Sequence, residues 1–319
     1  MSKPDNDKLT LNISDPAELI TALPYLVGHQ IHDSIVVIGL ADREMQVAAR
    51  TDIDTPVTHV GEHLQAALSR LPNVDTLLIV GYATSTADDA LRALAEYLRT
   101  RGHTIGHLLR VAEGRYHCLG VANCTPPEGA PLAASTAVAA SLTYRGLAPL
   151  ADRAAIDALP WPTQDASAVT MRHIAQARLH LASNGYRTAQ VHDAMARAKT
   201  GQPLTDDQAA QLCLALHDDL CRDTAWRGTD DEQWQFELWL DLTRRCEPTL
   251  AAPAASLLAW CAWRRGNGPV ATAAVRRAVQ ADPTYPMAML IIAALQENLP
   301  PSAIKHWPPT DPGDQTGPA

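Results

Sequence analysis

The sequence predicts an N-terminal α/β domain with a three-layer mixed sheet, followed by an all-α C-terminal half. Within the first 125 residues, short β-branched apolar runs alternate with amphipathic helical patterns, which is typical of a sheet covered by helices. Beyond Cys124 the strand pattern stops and alanine-rich helical segments follow. Every tryptophan lies at or beyond Trp161. With 319 residues, of which 46% are hydrophobic, the chain is long and apolar enough for two folded domains.

The α/β domain is predicted to begin after a loose polar leader, residues 1–13, with a helix that Asp15 caps. Pro16 suits the first turn of this helix, Glu18 completes a capping box and Gly28 suits its end. Apolar runs then predict strands at 34–40, 46–52 and 76–82, with the first two antiparallel, and a hairpin at 104–112 and 115–121.

Helical patterns at 60–71 and 90–98 separate the second, third and fourth strands. This order of strand, helix and strand predicts parallel pairing through right-handed crossovers. The domain limits are predicted at 14–125 for the α/β domain, 126–162 for a helical connector, 163–299 for an α-helical domain and 300–319 for a disordered tail.

No convincing strand follows residue 125. A capping box at 205–208 marks one helix start, and Asn184-Gly185 marks a helix end. Helices are predicted near 133–145, 151–159, 166–183, 187–199, 206–224, 231–245, 253–265, 269–281 and 285–297.

Residues 252–285 are similar to a tetratricopeptide-like helical hairpin. Leu258 and Ala259 give the large and small residues of its first helix, and Ala271, Val275 and Ala278 give the small–large–small pattern of its second. Alanine lets two helix backbones approach while valine fills the groove. Because about three repeats are needed for independent stability, this hairpin must pack on the rest of the helical half. It either completes that core or forms a partner-binding groove.

The net charge of −9 argues against a general nucleic-acid binder. The first residues lack the apolar segment of a signal peptide, and no apolar run reaches the roughly 18 residues that span a bilayer. The six cysteines are scattered without a CxxC pair, which predicts free, mostly buried thiols. We therefore expect a cytoplasmic protein without membrane association.

Short motifs along nearly the whole chain resemble the bacterial domain of unknown function numbered 4192, a family common in GC-rich Gram-positive bacteria. The resemblance implies no activity, cofactor or functional residue. The motifs are PYLVG (24–28), DSIVV (33–37), ARTD (49–52), GRY (114–116), PPEG (126–129), AWRRG (262–266) and AVQADP (278–283).

Polar side chains cluster where the predicted strands end. Asp52 and Asp54 follow one strand, Tyr82 follows the next, and Ser34 and His29 precede the first. Ligands bind at this edge in open α/β sheets, and paired carboxylates can hold a hydrated cation or act as acid and base. These five residues are the candidate ligand-binding residues. The alternative is that the two aspartates only end a strand and cap the following helix.

Other patterns are weaker guides to chemistry. Ser34 lacks the strained turn that a nucleophilic serine needs. Residues 59–63 match the HxxEH zinc pattern by letter but belong to a short crossover helix. We therefore predict no metal site and no cofactor, and we assign no residue a catalytic role. Two further His/Cys sets do not favour a zinc site. Cys213, His217 and Cys221 spread over about 12 Å of one predicted helix, and His107, Cys118 and Cys124 are loosely placed.

An acidic segment, 200–243, precedes a basic segment, 244–277, that contains three arginine doublets. The opposed charges are predicted to pair within the helical half. The alternative is that the doublets converge on an acidic partner, a phosphate ligand or a nucleic acid. The candidate partner-binding residues are Arg264, Arg265, Arg276 and Arg277.

These observations favour a ligand- or partner-binding protein whose helical half contributes an interaction surface. The alternative is a small-molecule enzyme that uses the strand edge around Asp52 and Asp54. Such an enzyme could act with or without a metal ion.

Overall fold

The computed structural model describes residues 15–71, 73–120, 124–133, 136–144, 148–163, 171–184, 187–297 and 299–304. The chain divides into two compact units, Met1–Arg153, here called the α/β unit, and Ala154–Ala319, here called the helical unit. The predicted leader, 1–13, lies outside the described residues.

The α/β unit begins with α1, whose ends follow local sequence signals. The Asp15 carboxylate accepts a hydrogen bond from the Glu18 amide at 2.9 Å, and Gly28 ends the helix with a φ of 87°. The elements are α1 (Pro16–Val27), β1 (Ser34–Ala41), β2 (Glu44–Asp52), α2 (Val57–Leu68), β3 (Thr76–Tyr82), α3 (Asp88–Arg99), β4 (Thr104–Ala112), β5 (Arg115–Cys118), β6 (Ala130–Pro131) and α4 (Ala137–Tyr144). The short strand β6 corrects the expectation that no strand follows residue 125.

The sheet is mixed, with its strands in the order β2-β1-β3-β4-β5-β6. A tight turn through Asp42 and Arg43, with φ values of 50° and 67°, joins β1 to an antiparallel β2. β1 also pairs antiparallel with β3, whereas β3 and β4 are parallel neighbours. Parallel pairing was therefore predicted correctly for β3 and β4 only. The chain crosses over through α2 from β2 to the other side of β1, so β3 pairs with the free edge of β1 and not with β2.

Apolar helices cover both faces of this sheet because strand side chains alternate in direction. Ile35 and Val37 of β1 pack in one core cluster with residues of α2 and α3. Val36 and Ile38 pack in the opposite cluster with residues of α1. On the far side of α1, its Ala22 contacts Val138 and Leu142 of α4.

The helical unit has no strand among its described residues. One predicted helix, 206–224, is in fact two, because Asp218 accepts a hydrogen bond from the Cys221 amide and starts a new helix. The helices are α5, which begins at the boundary (Arg153–Ala158), α6 (Met171–Asn184), α7 (Thr188–Lys199), α8 (Asp206–Ala215), α9 (Asp219–Arg227), α10 (Gln233–Arg245), α11 (Ala252–Arg264), α12 (Gly268–Ala281) and α13 (Pro286–Gln296).

The chain makes defined contacts where the predicted tail, 300–319, begins. Leu299 donates a backbone hydrogen bond to Ala294, and its carbonyl accepts one from the Trp263 indole at 3.2 Å. A short 3-10 turn follows at Pro301–Ala303. Residues 305–319 lie outside the described part of the chain.

The cysteines differ from the expectation of free thiols. Disulfides join Cys118 to Cys124 and Cys213 to Cys246. Cys221 and Cys261 are free and buried, and burial raises the pKa of the Cys261 thiol to about 12. Sequence spacing could not reveal these pairs, because folding brings the members of the second pair together across 33 residues.

None of the helices in the described ranges combines the length and apolar character that a bilayer crossing requires.

The close approach of α3 to β3 gives a stability test. A Cβ at Gly81 would lie 2.5 Å from the Leu91 Cδ1 atom, and Leu91 is fully buried. We expect Gly81→Ala to lower the free energy of unfolding by about 1–3 kcal/mol through overpacking, measured by urea denaturation with circular dichroism. Gly268→Ala is the control, since its Cβ meets nothing within 4 Å. Equal stability of the two variants would contradict this packing.

Candidate functional site

A polar groove of about 480 Å³ lies at one edge of the sheet. It forms where β2 ends and β1 begins, because Ser34 pairs with Asp52 across these antiparallel strands. The groove contains both predicted aspartates. Its lining residues are His32, Asp33, Arg50, Asp52, Asp54, Thr55 and Pro56.

The guanidinium of Arg50 organises the floor of the groove. Its Nε donates to the Ser34 hydroxyl at 3.0 Å, and its Nη2 lies 2.8 Å from the Asp52 carboxylate. Ser34 is fully buried and donates its own hydroxyl hydrogen to the His32 carbonyl. Ser34 thus acts in a hydrogen-bonded turn, and within the described part of the chain its hydroxyl bonds a backbone carbonyl and a guanidinium rather than a general base.

The backbone around the carboxylates is fixed by hydrogen bonds. The Ile53 amide donates to the Asp33 carbonyl at 2.9 Å, and the Thr55 amide donates to the Asp52 carbonyl at 3.1 Å. Asp33 has a φ of 43°, in the left-handed region that aspartate tolerates better than most residues. These contacts hold the loop after β2 against the start of β1.

The aspartates of the groove do not cap the helix that follows them. α2 begins after Pro56 without a side-chain hydrogen bond at its start. Asp52 pairs with Arg50 instead, and its side chain is 71% exposed. The groove therefore presents three carboxylates and one guanidinium, with His32 beside them. Such a set can bind a positively charged or hydroxyl-bearing molecule by charge-assisted hydrogen bonds.

Three of the five predicted site residues lie outside this groove lining: Ser34, which bonds the lining residue Arg50, and also Tyr82 and His29. Tyr82 donates its hydroxyl hydrogen to the Ile20 carbonyl at 3.0 Å, and its burial raises the pKa of its phenol. His29 is 2% exposed, and its backbone forms an isolated parallel β-bridge with Leu150. The sheet register brings Tyr82 opposite Ser34, but the ring packs against α1.

His32, Asp33 and Arg50 line the groove but are not among the site residues predicted from the sequence. Arg50 could have been found, because residues two apart on a strand share a face and Arg50 stands two before Asp52. His32 and Asp33 lie in the turn before β1, and their position depends on the pairing of β1 with β2.

Among the described residues, no group of three or more His, Cys, Asp or Glu side chains could hold a metal ion. His63 bonds the His59 carbonyl at 2.8 Å within α2. Cys213 and Cys221 lie on different helices, which corrects the expectation of a shared helix face.

Arg264 and Arg265 make their contacts within the helical unit. Arg264 Nε lies 2.6 Å from the Asp230 carboxylate, and its Nη1 donates to the Pro301 and Ile304 carbonyls. Arg265 Nη2 donates to the Gln233 side chain at 2.7 Å.

Arg276 and Arg277 are in different surroundings despite being adjacent. Arg276 is 64% exposed and lies 3.4 Å from Asp157. Arg277 is 1% exposed, and its Nε and Nη2 atoms have no hydrogen-bond partner among the residues that the structure describes. Its guanidinium lies 4.6 Å from the centre of the Trp161 ring, and burial lowers its pKa. The two side chains therefore do not form one basic patch.

The family model described as "Domain of unknown function (DUF4192)" matches residues 16–302. No curated protein and no solved structure matches the chain.

Two buried arginines allow a matched stability test. Arg245 is 7% exposed and pairs with Asp206 at 2.7 Å and with Asp241 at 3.0 Å. Arg245→Met breaks these pairs, so we expect a loss of about 2–4 kcal/mol in unfolding free energy. Arg277→Met removes a desolvated charge that has only a ring contact, so we expect stability to change by less than about 1 kcal/mol or to rise. Urea denaturation of both variants measures the difference, and a larger loss for Arg277→Met would contradict it.

Proposed function

The chain belongs to the family described as Domain of unknown function (DUF4192), and we propose that it is a ligand-binding protein whose site is the strand-edge groove. The single supporting observation is the convergence of Asp33, Asp52 and Asp54 with Arg50 and His32 around about 480 Å³. This volume lies within the range of small-molecule sites.

The charge of the groove indicates the chemistry of its ligand. Arg50 offsets the Asp52 carboxylate at 2.8 Å, which leaves Asp33 and Asp54 without a cation among the groove residues. A cationic amine would complement these two carboxylates, and its hydroxyl groups would find acceptors in the same groove. We therefore propose a small molecule that carries an amine and hydroxyl groups.

Asp54 provides the direct test of this proposal. We expect glucosamine to bind more tightly than uncharged N-acetylglucosamine, as measured by calorimetry at low ionic strength. Asp54→Asn should weaken glucosamine binding by about fivefold, because one ion pair at 4 Å in water contributes about 1 kcal/mol. Spermidine and lysine methyl ester extend the panel to other amines.

Glu62→Gln is the matched control, because Glu62 is an exposed carboxylate on α2 outside the groove lining. It should leave binding unchanged. Absence of binding by every amine in the panel, or equal binding by the Asp54→Asn variant, would refute the proposal.

A second candidate function is an enzyme at the same groove. Its supporting observation is that His32 lines the groove beside the two aspartates, and histidine is the side chain best suited to proton transfer near neutral pH. Conversion of a bound compound that is lost in His32→Gln, with binding retained, would favour the enzyme over the simple binding protein.

We also propose that the hairpin of α11 and α12 is tetratricopeptide-like and that the helical unit contributes a surface for a protein partner. Small residues support the first point, since Ala259, Ala271 and Ala278 are fully buried between helices. The arginine doublets do not support a nucleic-acid surface, because Arg264, Arg265 and Arg276 already have partners within the unit.

Cytoplasmic location is a further proposal, and the paired cysteines provide its test. In a reducing cytoplasm we expect both cysteine pairs to be dithiols. Lysis of cells directly into denaturant with an alkylating agent, followed by mass spectrometry, should then find all of these thiols alkylated. A disulfide between Cys213 and Cys246 that survives this treatment would contradict the location, while the free Cys221 and Cys261 verify that buried thiols are reached.

A further inference from the structure

An apolar groove of about 550 Å³ runs between α12 and α13 of the helical unit. Its walls consist of residues at helical spacing on both helices, so each helix presents a continuous face. Arg276 is its charged lining residue. The lining residues are Thr272, Val275, Arg276, Val279, Gln280, Ile292, Leu295 and Gln296.

The outer face of α13 extends this apolar surface. Met289 is 48% exposed and stands three residues before Ile292, so both lie on the same side of the helix. An exposed apolar surface that continues from a groove is characteristic of a binding site. The described residues leave this face uncovered.

The described chain ends close to one end of the groove. Leu299 bonds back to Ala294 and Trp263, and Arg264 Nη1 donates to the Pro301 and Ile304 carbonyls. Arg264 ends α11, and α12 begins four residues later at Gly268. Ile304 is thus held at the end of the hairpin where α12 starts and α13 stops, which is the end lined by Thr272 and Leu295.

The following residues carry the features of a groove ligand. Trp307 comes three residues after Ile304, a span of about 10 Å in an extended chain. Pro308 and Pro309 favour the extended polyproline conformation, which lowers the entropy cost of binding. Asp311 and Asp314 follow and can add to the ion pair of Arg276, which remains 64% exposed beside Asp157. The segment therefore offers an aromatic anchor, a rigid extension and acidic side chains in that order.

We propose that residues 305–319 bind the groove between α12 and α13, with Trp307 as the anchor against its apolar wall. The segment thereby covers the surface that a protein partner would otherwise use. This inference concerns the helical unit and does not depend on the strand-edge ligand groove. Because the segment is tethered, its effective concentration at the groove is on the order of 1 mM, so even a weak contact stays formed.

Competition in the full-length protein tests the proposal. A fluorescent peptide of sequence 303–319 is titrated with wild-type protein and with full-length Trp307→Ala, and binding is followed by anisotropy. We expect the variant to bind the peptide and the wild type to bind it about tenfold more weakly. This ratio follows if the groove binds the segment with a Kd of about 100 µM and the tethered segment has an effective concentration of about 1 mM. Equal affinity for both proteins, or no binding to either, would overturn the proposal.

Substitutions on α13 locate the binding surface. In the Trp307→Ala background, Ile292→Lys places a charge in the groove and should abolish peptide binding. Leu290→Lys is the matched control, because Leu290 is 49% exposed on the same helix but is not a groove residue. It should leave binding intact, and circular dichroism verifies that both variants are folded. An equal loss of peptide binding in both variants would show that the peptide does not bind in this groove.

A second copy of the chain is the competing occupant. If it filled the groove, light scattering of the wild type would show a concentration-dependent dimer that Ile292→Lys dissociates, and Trp307→Ala would leave the dimer intact. A monomeric wild type, together with peptide binding to Trp307→Ala, supports the tail. A wild-type dimer that Ile292→Lys dissociates and Trp307→Ala leaves intact would overturn the proposal.

Discussion

The α/β unit depends on the burial of β1 between two layers of helices. Ile35 and Val37 pack towards α2 and α3, while Val36 and Ile38 pack towards α1. β1 is also hydrogen-bonded along both edges, with β2 and β3 antiparallel to it. A shift of one residue would turn each apolar side chain to the opposite face. The register is therefore fixed, and with it the meeting of Ser34 and Asp52 at the edge.

Charge pairing then gives the two units different properties. At the strand edge, Arg50 joins Ser34 to Asp52, and the excess of carboxylates over cations leaves a groove suited to a positively charged ligand. In the helical unit, Arg245 pairs with Asp206 and Asp241, and Arg264 pairs with Asp230. These ion pairs engage arginines that the sequence alone offers as candidates for binding a partner. Among the described residues of that unit, an apolar groove lies between α12 and α13.

Local sequence signals predicted most of the helices and strands among the described residues. Asp15, Gly28 and Thr205 mark helix ends by hydrogen bonds or a positive φ within a few residues, so their effect can be read locally. The helix predicted at 206–224 was wrong because Asp218 caps a second helix in the middle of an apolar pattern. Periodicity alone does not detect such a break, since both helices bury a face.

The sequence by itself determined the order of secondary structure, the mixed sheet and the change to helices, because these follow from periodicity, turns and caps over short distances. It also identified Asp52 and Asp54 as residues at a strand edge. Only the tertiary structure decided that Arg50, His32 and Asp33 join them, that Tyr82 packs against α1, and that Cys213 meets Cys246. These juxtapositions depend on strand register and helix packing between segments far apart in the chain, which local patterns do not encode.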